Sequence, residues 1–386
     1  MTISSEIRNI DAGVEPANDI FDKAKALSVV IISDAAPGRN GVGTFYVDLS
    51  THLQKRVKHI EILSPVVEDD KWKAGLVFPL PGDKTQKLCM PNPVAMKRRL
   101  AEIKPDVVLI ATPGVYGLVG AMLAGRMKIP AIAGFHTSFE KITELYWNNS
   151  IAGSIVHGYF KVSNRYLFKK CPLILANSEE MIVQARRIGA QNTRIVSTPI
   201  SSVFTEHAQQ PYSGEIKRVL FAGRLAPEKN IETLLDAAEA LPDIQFTIAG
   251  EGPLRDQVEE RAKQLPNLNC LGWLDRETLR DQIDAHDALV LPSHFESFGT
   301  IALEAMARQR LVIVSPHCGI VEWDEYNGGL RVIDDSLTQT LRALSESDKS
   351  SRAQLASRAQ DITQEINRKS IEEWCELLFE SAAKLD

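Results

Sequence analysis

Ala288-Leu289-Val290-Leu291-Pro292-Ser293-His294-Phe295-Glu296-Ser297-Phe298-Gly299-Thr300-Ile301-Ala302-Leu303-Glu304-Ala305 is the stretch that decides the fold. Its first four residues are an uninterrupted apolar run of strand length, as in a parallel sheet covered on both faces. A short polar loop follows, and then an Ala/Leu/Met-rich run that reads as a helix from Thr300 to Arg308. Strand, tight loop and helix bring backbone N–H groups to a helix N-terminus, where an anion binds. Two glutamates bracket that terminus: Glu296 in the loop, and Glu304 roughly 10 Å further on at about 1.5 Å per residue. A carboxylate accepts from sugar hydroxyls, so this spacing suits the two ends of a nucleotide sugar with its diphosphate between. The same pattern also describes a helix with a solvated acidic first turn, which the dipole favours.

Two further segments lie upstream: Phe221-Ala222-Gly223-Arg224-Leu225-Ala226-Pro227-Glu228-Lys229-Asn230 and Ile248-Ala249-Gly250-Glu251-Gly252-Pro253-Leu254. With Glu296-Ser297-Phe298-Gly299-Thr300-Ile301-Ala302-Leu303-Glu304-Ala305 they resemble, in order, the motifs of the retaining glycosyltransferases of family 4. The resemblance covers nearly all of residues 27–386 and is strongest over 218–304. It implies an α/β chain of GT-B fold, two doubly wound Rossmann-like domains facing a central cleft.

Length and composition agree with that expectation. At 386 residues, two domains are the default, and 44% hydrophobic with 24% charged residues describes an ordinary soluble chain. No apolar run approaches the roughly 18–20 residues that span a bilayer. Residues 1–26 are polar, lack the pattern of a secretory signal, and read as a flexible extension. The five cysteines are scattered without a Cys-x-x-Cys, so reduced thiols in a cytoplasmic protein are expected, and no metal site. There is no Asp-x-Asp to clamp a metal-bound diphosphate.

The net charge of −6 is unevenly spread. Residues 27–205 carry 22 Lys and Arg against 13 Asp and Glu, whereas residues 206–386 carry 19 against 32. A basic first half implies an anionic partner for that half. No nucleic-acid module is present, and an anionic membrane surface requires no motif. Glu144 to Lys170 interleaves Tyr146, Trp147, Tyr159, Phe160 and Tyr166 with Lys161, Arg165, Lys169 and Lys170, a mixture suited to a bilayer interface. A core helix with a solvated basic side is the plainer reading of the same residues.

The expected first domain is 27–205. Its first strand, Leu27 to Ser33, leads through a loop, Asp34 to Gly43, into a helix from Thr44 to Lys55. Gly41-Val42-Gly43 lacks the third glycine of a dinucleotide fingerprint, which discounts a nicotinamide or flavin site. Further strands are expected at 60–63, 107–110, 131–134 and 173–176. A linker at 206–217 precedes the donor domain, 218–365, with strands at 218–222, 245–250, 269–273, 288–291 and 311–314. The last helix, within 366–386, is expected to return to the first domain. At one strand-end loop, Arg224 offers a fork and Lys229 a point charge for a diphosphate.

The resemblance implies roles beyond these. His136 and Glu296 would fix the hexose as catalytic residues. Gly43 would approach the donor, Arg224 and Lys229 would neutralise the diphosphate, and Phe298, Gly299, Thr300 and Ile301 would cap it. Glu304 would take the ribose hydroxyls. No metal and no cofactor is implied beyond the nucleotide sugar substrate. With the basic, aromatic first domain, the reading is transfer of a hexose, glucose by preference, from a UDP-sugar to a lipid such as diacylglycerol. The enzyme would be cytoplasmic and peripheral on the inner face of the membrane. A soluble or polysaccharide acceptor, a UDP-sugar epimerase, and a non-catalytic binding protein are the alternatives.

Overall fold

A computed structural model describes residues 17–36, 41–68, 71–73, 76–80, 83–137, 151–209 and 211–383. The described residues form two compact units, one of Ile200–Ile366 and the other of residues up to Pro199 together with Asn367 onward.

The N-terminal unit is built on six parallel strands: β1 (Ser28–Ile32), β2 (His59–Leu63), β3 (Val107–Ile110), β4 (Ala131–Gly134), β5 (Ile174–Ala176) and β6 (Thr193–Ile195). Their order across the sheet is β6-β5-β4-β3-β1-β2. Every residue of β1, β3 and β4 is buried, which is why these strands read as continuous apolar runs rather than alternating ones. Chain order reverses between β1 and β3, where Val29 lies opposite Val107, so ligands are expected beyond their carboxyl ends. Two antiparallel hairpins, Val66–Glu68 with Lys71–Lys73 and Val77–Leu80 with Asp83–Cys89, were not foreseen. Their short strands carry mixed polar and apolar residues without a clean period.

In the other unit, β7 (Arg218–Ala222), β8 (Gln245–Ala249), β9 (Leu268–Gly272), β10 (Ala288–Leu291), β11 (Leu311–Val314) and β12 (Arg331–Val332) are again all parallel. The order β9-β8-β7-β10-β11-β12 is that of a dinucleotide-binding sheet, with its switch point between β7 and β10. The strands expected at 107–110, 131–134, 218–222, 288–291 and 311–314 have those bounds.

Several expectations need adjustment. The break between units falls after Pro199, ahead of the linker placed at 206–217. Phe204 is fully buried, and its carbonyl accepts from the Arg308 guanidinium, which ties 202–208 to the second unit. Residues 17–24, counted with the flexible extension, form a helix that ends on a buried Ala24, while residues 1–16 lie outside the described residues. The loop after β1 is shorter than expected, because the helix there begins at Gly41.

The tail is a helix, Leu337–Glu346, and one uninterrupted 35-residue helix, Lys349–Ala383. From Asn367 that helix belongs to the N-terminal unit, where Trp374, Cys375, Leu377 and Leu378 join Val29, Ile31, Phe45 and Leu109 in one core cluster. The Trp374 Nε1–H donates to the Ser197 carbonyl at 3.1 Å, which satisfies the ring's polar edge inside that core. Among the described residues, no helix is long and apolar enough to cross a membrane.

Candidate active site

The second unit brings the three motif segments together at its switch point. Past β7, Gly223, Arg224 and Leu225 lie directly against the loop that follows β8. Gly223 N–H donates to the Ala249 carbonyl, and Leu225 N–H to the Glu251 carbonyl, each at 2.9 Å. Gly250 sits at φ +147°, and a Cβ there would come within 1.8 Å of the Gly223 oxygen. Both facts demand glycine. Gly250→Ala is therefore expected to cost about 3 kcal/mol or more. Urea unfolding against wild type measures this, and a loss within experimental error would show that the two loops part freely.

Beyond Leu225, the 3-10 turn Pro227–Lys229 is stitched to the loop after β10. His294 N–H donates to the Glu228 carbonyl at 2.9 Å, and the Asn230 side-chain amide donates to the Pro292 carbonyl at 3.0 Å. This stitching carries the Lys229 ammonium onto the Glu296 carboxylate as an ion pair in which both side chains are largely buried. Burial alone would lower the Lys229 pKa, but the charge and hydrogen bond of Glu296 outweigh it, so the ammonium is held above its ordinary value. Arg224 Nη1 reaches the buried Glu228 carboxylate at 3.5 Å. Glu296 is in turn clamped through its backbone. Its N–H donates to the His317 carbonyl at 3.1 Å, and its carbonyl accepts from Gly319 N–H at 2.9 Å. The Cys318-Gly319 loop after β11 thus holds Glu296.

Gly299 begins the helix Thr300–Ala307 at φ +99°, with no side-chain cap among the described residues. The N–H groups of the first turn are thereby left to backbone and ligand. Phe298 lies just ahead of this turn. Its side chain is buried against Trp323 and Tyr326, with ring centroids 6.0 and 6.2 Å away, so it anchors the loop from below and presents only backbone to a ligand. Glu304 is buried one turn further on, paired with Arg276, whose guanidinium lies 4.6 Å over the Phe204 ring. At the far end of the helix, Arg308 is buried against Asp284 and the carbonyls of Phe204, His207 and Ala208. A cation there also suits the helix dipole.

The N-terminal unit supplies His136, just past β4, and Gly43, buried in the first turn of the helix Gly41–Leu53. His136 Nε2 lies 2.8 Å from the Tyr46 hydroxyl. Its Nδ1 is buried with no hydrogen-bond partner among the described residues. Burial pushes the imidazole down to about 4, so it is neutral near pH 7. Asp34 lies just past β1, but its carboxylate is engaged in accepting from Thr112 Oγ1 at 2.7 Å and from the Tyr116 N–H at 2.7 Å, in the first turn of the helix Val115–Met127 that follows β3. Tyr146 and Trp147, noted in the sequence, lie outside the described residues.

The His136 burial has a pH signature. The unfolded chain protonates near pH 6.5 and the folded one only near 4, so the stabilisation is complete above about 6.5 and is lost as pH falls toward 4. The loss is at most about 3 kcal/mol. Melting temperatures taken at neutral and at acid pH should fall less for His136→Gln than for wild type. An equal fall would mean that His136 is protonated in the folded protein.

Arg224 and Lys229 are thus each held by a glutamate, Glu228 and Glu296, with Gly299, Thr300 and Ile301 following Glu296 in the chain and Glu304 one turn into the helix. His136 and Gly43 stand at the strand ends of the other unit. Tyr46, Glu228, Arg276 and Arg308 were missed in the sequence. Arg276 had a signal: it follows the capping Asp275 as the first residue of a helix, a place the dipole disfavours for a cation. Among the described residues, no group of three or more His, Cys, Asp or Glu could hold a metal ion.

The family models described as Glycosyltransferase Family 4 and as Glycosyl transferases group 1 match residues 39–202 and 203–361. A GDP-mannose-dependent alpha-mannosyltransferase of Corynebacterium glutamicum is 27% identical over 73% of this chain and 71% of its own. The sulfoquinovosyl transferase SQD2 of Arabidopsis thaliana is 24% identical over 63% of this chain, which spans about half (49%) of that relative. The structure of HepE from Anabaena in complex with UDP and glucose superposes with a TM-score of 0.67 at 17% identity, covering 90% of this chain and 99% of that one. The chain belongs to glycosyltransferase family 4 and is a glycosyltransferase of GT-B fold, with two doubly wound α/β domains.

Proposed function

We propose that the enzyme is a retaining hexosyltransferase that moves a hexose, glucose by preference, from a UDP-sugar to a lipid acceptor such as diacylglycerol. The observation that carries this reading is the uncapped N-terminus of the Thr300–Ala307 helix, flanked by two glutamates that are each paired with a cation. The diphosphate sits at that terminus against Arg224 and Lys229, Glu304 takes the ribose hydroxyls, and Glu296 and His136 hold the hexose. Negative charge grows on the leaving phosphate as the glycosidic bond breaks, so cations and N–H groups placed there favour the transition state over the ground state. That phosphate takes the acceptor's proton on the face it leaves, and no side-chain base is required. The two cations and the helix dipole stand in for a divalent ion, so turnover is expected to survive a chelator. The bound UDP and glucose of HepE support a UDP-sugar. The basic first domain supports a membrane acceptor and a peripheral location on the cytoplasmic face.

A second reading has its own support. The mannosyltransferase relative, matched over 71% of its length, favours GDP-mannose as donor. The test is release of UDP from UDP-glucose and of GDP from GDP-mannose, with and without liposomes of diacylglycerol and an anionic lipid. Lipid-stimulated UDP release with a hexosylated lipid in the mass spectrum supports the first reading. Lipid-indifferent turnover with a soluble sugar acceptor overturns the lipid acceptor, GDP-mannose turnover alone replaces the donor, and product without any acceptor points to an epimerase.

A further inference from the structure

An apolar groove of about 600 Å³ runs along the N-terminal unit between the helices Val115–Met127 and Ile151–Lys170. Leu118 and Met122 line one wall, and Gly158, Tyr159, Val162 and Tyr166 the other. We propose that this groove holds one acyl chain of an anionic membrane phospholipid and so seats the enzyme on the bilayer. The proposal deepens the membrane part of the reading above and does not depend on which molecule accepts the sugar.

Four observations carry it. The volume falls within the range of small-ligand pockets, and the lining is almost wholly apolar. The groove also continues outward as an exposed apolar stripe. Ile155 is 68% exposed, Tyr159 38% and Val162 67%, at helical spacings that place them on one face. A contiguous apolar surface of this kind marks an interaction site.

Gly158 keeps the groove open. Glycine inside a helix is disfavoured by about 0.5–1 kcal/mol relative to alanine. Here a Cβ would meet no atom within 4 Å, so tight packing is not the reason for glycine. Any larger side chain would simply occupy the groove.

Charge selects the occupant. Lys161, Arg165, Lys169 and Lys170 are exposed on one helix, and Arg126 and Lys128 lie exposed at the end of the other. Neither helix contains an Asp or Glu. Lys170 Nζ lies 5.9 Å from the centroid of Tyr166, a groove residue, so a cation stands at the groove itself. An apolar slot between two helices that carry cations and no acidic residue is complementary to an acyl chain below an anionic headgroup. A second copy of this chain would bring the same cations against these and be repelled.

The test is flotation of the protein with phosphatidylcholine vesicles, with and without phosphatidylglycerol, together with titration of a pyrene-labelled phosphatidylglycerol. Wild type should bind in a phosphatidylglycerol-dependent, salt-sensitive manner. Gly158→Leu should weaken binding of both vesicle and probe about tenfold, by displacing the methylenes of the chain. Its melting temperature should not fall, since the added Cβ has no described atom within 4 Å and leucine favours the helix. Lys161→Ser with Lys170→Ser should remove the phosphatidylglycerol preference. Three results would overturn the proposal: Gly158→Leu binding as wild type does, wild type ignoring phosphatidylglycerol, or a lipid-free dimer that Gly158→Leu dissociates. Should vesicle binding follow the groove while no sugar reaches diacylglycerol, the lipid acceptor falls and the anchor stands. Should diacylglycerol be glycosylated equally well by Gly158→Leu that still binds vesicles, the anchor falls and the acceptor stands.

Discussion

Glu296→Gln is expected to lower kcat by about 10²–10³-fold, on the scale of removing one preorganised transition-state contact, while UDP still binds. The substitution keeps the shape of the side chain and its backbone clamp at His317 and Gly319, so the loop should not move. What disappears is one negative charge in a largely buried setting, and with it two functions. The hexose loses a charged acceptor for its hydroxyls, which in the proposed mechanism tightens as the ring takes on positive character. Lys229 loses the main partner that offsets its burial, so its ammonium drops from its raised pKa. UDP affinity in the variant should therefore match wild type near neutral pH and decline earlier than wild type as the solution becomes alkaline. Initial rates with the active donor and calorimetric titration with UDP across pH measure both parts. Unchanged turnover would remove Glu296 from the site. Loss of UDP binding already at neutral pH would instead make its main task the holding of Lys229.

The same ion pair shows where the sequence was informative. Buried parallel strands are continuous apolar runs, so β3, β4, β7, β10 and β11 could be bounded from composition alone. The loops at their carboxyl ends then placed Arg224, Lys229, Glu296 and Glu304 near one another. Pairing was not legible. Lys229 and Glu296 are 67 positions apart, and their contact depends on two backbone stitches, Glu228 to His294 and Asn230 to Pro292, made by groups every residue type carries. The direction of the Phe298 side chain was not legible for a related reason. Its position inside the motif suggested ligand contact, but aromatic partners at 323 and 326 fix its direction, and no periodicity in the chain reports them. Gly43 was placed in a loop because glycine favours loops, yet the first turn of a helix tolerates it, since the N–H groups there have no helical partner to lose. The groove between the helices at 115–127 and 151–170 left only a faint trace, a glycine inside an otherwise helical pattern.

Arg276→Leu should have the second large effect, and it separates a role in nucleotide binding from a role in stability. Glu304 is 3% exposed and Arg276 27%, so the variant takes a guanidinium away from a carboxylate that cannot turn to water. Breaking a fully buried pair costs about 3–5 kcal/mol, and solvent screening on the arginine side brings the expectation down to about 2 kcal/mol. Arg276→Leu with Glu304→Leu removes both charges and should recover most of the stability, because an apolar pair of similar volume often equals a buried ion pair. Nucleotide binding should not recover with it. A ribose whose two hydroxyls have lost a carboxylate acceptor forfeits charge-assisted hydrogen bonds of about 1.5–3 kcal/mol, a tenfold to hundredfold loss in UDP affinity. A stable double variant that binds UDP as tightly as wild type would take Glu304 out of the nucleotide site and leave Arg276 as the structural partner of a buried acid. A stable double variant that has lost UDP assigns Glu304 to the ribose, and gives Arg276 the task of keeping that carboxylate ionised and in place before the donor arrives.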